Sequence, residues 1–115
     1  MSLQADAESL RVWSERTRAV HLELPTGPRG RAGDDLYRLL GVEVEESGLT
    51  LNFEHRFFFT LDDPQVRIGE LEAVVKSESP VSVERKDFGS DGWRRESLPP
   101  GEIRMWVHPG DLARR

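Results

Sequence analysis

The chain has 115 residues and a formal net charge of −5, from 21 acidic and 16 basic side chains. That length suits one domain with one hydrophobic core, and the acidic balance counts against bulk attraction to nucleic acid or an anionic membrane. No cysteine is present, which excludes disulfides, thiolate metal ligands and a cysteine nucleophile.

Hydrophobic residues make up 37% and charged residues 32%, and the apolar ones are grouped rather than scattered, as in a folded chain. No apolar run approaches the ~20 residues that span a bilayer. Residues 1–11 carry acids and no apolar core of a signal peptide. The expectation is a cytoplasmic protein with no membrane partner.

From the N-terminus, Ala7, Leu10, Trp13, Thr17 and Val20 recur near helical spacing, and Glu8–Arg11, Arg11–Glu15 and Glu15–Arg18 add opposite charges three or four apart. Val20, Leu22 and Leu24 then alternate with His21 and Glu23, which is strand spacing. A helix near 6–17 followed by a strand near 18–24 is predicted, with a hairpin across the stretch as the rival. Residues 25–33 hold two prolines and three glycines, a loop. Asp34 is placed to cap a short helix over 35–40, ended by Gly41, with Leu36, Leu39 and Leu40 on one face.

The best local signal follows. Val42–Glu46 and Leu49–Phe53 flank Ser47-Gly48. A two-residue turn there pairs Val44 with Leu51 and Val42 with Phe53 on one face, and asks for positive φ at Gly48. The alternation runs on through His55, Phe57, Phe59 and Leu61, which reads as a long bent strand broken by Asp62-Asp63-Pro64. Strands are predicted at 66–76, with a bulge or bend at Gly69, then at 81–88, 93–98 and 102–108. Turns fall at 77–80, 89–92 and 99–101. Many short strands at regular turn spacing predict a single α+β domain over 1–115, mainly antiparallel β: a small sandwich or barrel with one or two short helices.

Catalytic motifs are lacking. There is no Gly-x-Ser-x-Gly elbow, and the glycines at Gly27, Gly30 and Gly33 fit neither a dinucleotide nor a Walker-type phosphate loop. Adjacent acids such as Asp62-Asp63 are not thereby placed around a substrate. The three histidines offer a weak constellation. His21 and Glu23 project to one side of a strand, His55 sits at an apolar parity and His108 ends the last strand. If His21, Glu23, His55 and His108 converge they form a small-ligand pocket, with His55 and nearby carboxylates as the catalytic group of an enzyme. The same N and O donors suit a divalent metal in principle, but no metal-ligand spacing occurs, so neither metal nor cofactor is expected.

Aromatic and basic residues point elsewhere. Trp93-Arg94-Arg95 joins an indole to two guanidiniums, a combination that can bind single-stranded nucleic acid or phosphate, though the net acidity weighs against it. Trp106 and Phe58 sit at the parity opposite their strands' clearer core sets. One sheet face carrying both would be an interface, unless Leu10 and Trp13 of the first helix cover it. The leading expectation is a non-enzymatic binding or assembly module, a homo-oligomer or part of a larger complex, acting through Phe58, Trp106, Trp93, Arg94 and Arg95.

Overall fold

The computed structural model describes residues 3–28, 36–54, 57–86 and 92–110. It begins with one helix, α1 (Leu3–Thr17), whose buried residues Ala7, Leu10, Trp13 and Thr17 fall three or four apart and so line one stripe. The helix stops where Thr17 Oγ1 donates to Trp13 O at 2.9 Å and Arg18 turns left-handed (φ 64°), its N–H donating to Ser14 O at 2.8 Å. No helix among the described residues is long and apolar enough to cross a membrane.

Among the described residues ten strands follow: β1 (Ala19–Leu24), β2 (Gly27–Pro28), β3 (Tyr37–Val44), β4 (Gly48–Phe53), β5 (Phe57–Asp62), β6 (Gln65–Ile68), β7 (Glu72–Ser77), β8 (Val81–Lys86), β9 (Trp93–Leu98) and β10 (Gly101–Trp106). Every pairing is antiparallel. The described residues form an α+β fold, mainly antiparallel β, with helix α1.

The strand order is β6-β7-β10-β1-β3-β4-β5-β8-β9, and β2 folds back beside β1. The link between β1 and β3 is only two residue pairs, Ala19–Arg38 and Val20–Tyr37. On either side of that narrow junction lie two half-sheets, β6-β7-β10-β1-β2 and β3-β4-β5-β8-β9. They share one core with α1, so the sheet is folded back on itself. The segments β5–β6 and β7–β8 cross between the halves, and the single O–H of Ser77 ties the crossings, with Ser79 O at 2.9 Å and Asp62 O at 3.3 Å as its acceptors. The centre of the core is aromatic. Phe53 and Phe57 stack at 5.3 Å, and Phe59 meets both edge-on at 5.7 and 5.5 Å, each burial contributing about 1.5–3 kcal/mol.

Four local expectations change. The segment predicted as a helix over 35–40 enters strand β3 at Tyr37. Leu39 is buried opposite Phe53, while Leu36 and Leu40 are 42% and 58% exposed, so the three leucines share no face. A bulge at Leu40 shifts the register between Leu39 and Gly41. The hairpin 42–53 exists with the expected faces, but Val44 pairs with Leu49 and Val42 with Leu51. Its turn is therefore Glu46-Ser47, and Gly48, without positive φ, begins β4. The long bent strand is a hairpin, β4 pairing with β5 from Gly48–Asp62 to Phe53–Phe57. The strand 66–76 is a second hairpin, closed by Gly69 N donating to Glu72 O at 2.7 Å. Alternation alone does not say whether a period-2 run continues or reverses: the three-residue connection of β4 and β5 preserves its parity, and the four residues between Ile68 and Ala73 shift it as a bulge would.

Candidate functional site

Alternation sorts every strand into a core side and an outer side. On β10, Ile103 and Met105 are buried, which turns Arg104 and Trp106 outward; Val107 is buried and His108 lies exposed beyond the strand end. On β1, Val20 and Leu22 face the core, so His21 and Glu23 face out. The register sets His21 beside Trp106 and Glu23 beside Arg104, while β7 brings Glu72 opposite Trp106 and Val74 opposite Arg104.

The result is a built cluster on the outer face of β7-β10-β1. The His21 ring lies 4.4 Å from Trp106 and 5.2 Å from His108, and His108 meets Trp106 edge-on at 4.9 Å. His21 is only 5% exposed. Arg104 donates through Nε to Glu72 at 2.6 Å and through Nη1 to Glu23 at 3.1 Å, with its guanidinium carbon 5.4 Å from the Trp106 ring. The hydrogen bond to Glu72 first, opposed by burial and reinforced by Glu23, raises the Arg104 pKa above its ordinary value. Beside this cluster is a polar recess of about 280 Å³ between Pro25 and Pro100, lined also by Glu23, Glu102 and Arg104.

Of the four ligand candidates, the structure therefore brings His21 and His108 into contact. Glu23 shares their face, but its carboxylate is held by Arg104. His55 lies outside the described residues. Among the described residues no three histidine or carboxylate side chains are grouped to hold a metal ion. The described hydroxyls serve the fold: Ser47 donates to Asp62 at 2.5 Å, Ser14 to Arg11 O at 2.8 Å and Ser77 to backbone carbonyls.

The interface candidates divide between two places. Phe58 meets Trp93 at 5.3 Å with the rings tilted by 45° on the outer face of β5-β8-β9, and Trp93 is 50% exposed. Phe58 faces Glu84, which in turn faces Arg95, and Arg95 binds Glu84 through Nη2 and Nε at 2.5 and 3.2 Å. Arg94 projects from the other side of β9, opposite Arg85. The two guanidiniums thus do not share a surface. Trp106 belongs to the histidine cluster, and three strands (β1, β3 and β4) separate β10 from β5. Phe58 and Trp106 therefore form no common patch. Leu10 and Trp13 cover neither, because both lie in the core.

One concavity has no counterpart among the sequence expectations. Between α1 and β6 runs a groove of about 350 Å³ lined by Glu8, Val12, Trp13, Arg16, Ile68 and Gly69. Val12 is 57% and Ile68 36% exposed. The signal available in the sequence was a valine on the charged side of the first helix. No family model, curated protein or solved structure matches this chain.

Proposed function

We propose that the chain is a non-enzymatic binding module that docks another protein through the outer face of β5-β8-β9. The observation that carries this reading is Trp93, half exposed at the end strand of the sheet and resting on Phe58. A tryptophan held by a neighbouring ring presents a large contact area at little entropic cost, and Trp and Arg are the residues most often dominant in protein interfaces. Arg95, oriented by Glu84, supplies a directional polar contact beside it. The nucleic-acid alternative loses support, since Arg94 and Arg95 face opposite ways and the net charge is −5.

The test is a photo-crosslinking phenylalanine analogue at Phe58 in the source cells. A discrete adduct with another protein, lost on Trp93→Ser, supports the reading. No adduct, or one indifferent to Trp93→Ser, sinks it.

A second reading, a small-ligand site, is favoured by one observation: His21, His108 and Trp106 are in mutual ring contact beside a recess containing Arg104. Ligand-dependent change in Trp106 emission, lost on His108→Ala, would support it.

A further inference from the structure

We infer that the groove between α1 and β6 is a self-association surface, filled by the same helix of a second copy packed antiparallel about a two-fold axis at Val12. This surface is separate from the Trp93 face. Two large apolar side chains, Val12 and Ile68, are exposed side by side in one concavity whose floor is the buried ring of Trp13. Adjacent exposed apolar groups on a folded domain mark a contact site.

The charges on the helix specify the occupant. Glu8, Val12 and Arg16 fall at i, i+4 and i+8, so they form one line along α1. At 1.5 Å rise per residue, Glu8 and Arg16 lie about 6 Å on either side of Val12. Reversing a second helix about Val12 sets Glu8 against Arg16 of the second copy, and Arg16 against Glu8 of the second copy. The same operation sets Glu15 opposite Ser9, so no like charges meet. The face is complementary to itself, as a two-fold interface requires.

Both charged groups keep capacity for the contact. Glu8 binds Arg11 Nη1 through one oxygen at 3.3 Å, and Arg16 gives Nη2 to Glu70 O at 2.7 Å. That second bond anchors the guanidinium at the groove rim, and its remaining N–H groups stay available as donors. Ile68 of each copy then flanks the Val12 pair.

The experiment is sedimentation of the whole chain over a micromolar to millimolar series. The expected result is a reversible rise from 13.1 kDa toward twice that mass. Val12→Glu places two carboxylates at the axis and should abolish the dimer, while its melting curve reports whether the exposed position still folds. Glu8→Arg and Arg16→Glu each turn two attractive pairs repulsive and should weaken association by about tenfold. The double variant Glu8→Arg/Arg16→Glu re-creates the pairs in reverse and should return to within about threefold of the parent. Trp93→Ser should leave the dimer unchanged, which separates this surface from the partner-docking face. A monomer throughout the series, a dimer insensitive to Val12→Glu, one broken by Trp93→Ser, or a double variant no better than the singles would each overturn the inference.

Discussion

Gly48 lies directly beneath the carbonyl of Leu61: a Cβ on Gly48 would stand 2.2 Å from Leu61 O, 3.1 Å from its carbonyl carbon and 3.2 Å from Asp62 Cα. Glycine is required here for close approach of two backbones, not for a left-handed turn, since its φ is not positive. Gly48→Ala should therefore force β4 from β5 and cost about 2–4 kcal/mol. Denaturant unfolding measures this. A loss below about 0.5 kcal/mol would mean that the strands part freely at this end.

Arg18 presents the opposite case. It adopts a φ of 64° in an exposed position just past α1, where a β-carbon is costly and glycine is the usual residue. Its side chain is not part of the core. Arg18→Gly should stabilise the fold by about 0.5–1 kcal/mol after the greater entropy of glycine in the unfolded chain is counted. A rise of a few degrees in Tm is expected, whereas Arg18→Val should lower it.

The three leucines of β3 separate the strand from the helix that their spacing suggests. Leu39 is 6% exposed and Leu40 58%, so Leu39→Ala should cost about 2–4 kcal/mol and Leu40→Ala under about 0.5 kcal/mol. Comparable losses at both positions would restore the helical arrangement, in which both leucines lie on one buried face.

That contrast shows what a single sequence could and could not convey. Wherever one strand face was buried, alternation assigned the faces correctly: Ile103, Met105 and Val107 in, Arg104, Trp106 and His108 out. Leu10 and Trp13 lie on the one helical stripe that their spacing predicts. Reversals were harder. The three-residue connection between Phe53 and Phe57 preserves side-chain parity, so that hairpin resembles one long strand, whereas the four residues between Ile68 and Ala73 flip the parity, which on a single strand reads as a bulge at Gly69. The 35–40 segment misled because a bulge breaks alternation and leaves a leucine triplet at helical spacing. At the candidate site, His21, Glu23, Trp106 and His108 could each be assigned a face. Their convergence depended on β1 pairing with β10, a contact between residues about eighty positions apart that no local pattern encodes.

The histidine cluster should not retain a transition metal through purification. Two imidazoles meet, His21 and His108, but the nearest carboxylates, Glu23 and Glu72, are both engaged by Arg104. A stable site for zinc or nickel needs three or four donors. Elemental analysis of protein prepared without added ions should find less than about one-tenth equivalent. Near-stoichiometric metal, lost on His21→Ala, would defeat this expectation and strengthen the small-ligand reading.

Arg104 is the group that ties three strands together on the outer face, reaching Glu72 on β7 and Glu23 on β1 from β10. Its pKa is raised above its ordinary value, chiefly by the Glu72 hydrogen bond. A cation whose folded pKa exceeds its unfolded value contributes stability that is fully present below the unfolded pKa and is lost only as pH climbs through the folded one. For Arg104 that loss lies far on the alkaline side, so its own titration cannot change stability between about pH 6 and about pH 9. The side chain is 37% exposed, and solvent screening limits the network to about 1–2 kcal/mol. Arg104→Gln should lower stability by that amount through loss of its bonds to Glu23 and Glu72, with Glu72 keeping its 3.7 Å ion pair to Arg67. The decrement should also be the same at both ends of that pH range. A penalty that shrank toward about pH 9 would overturn this expectation.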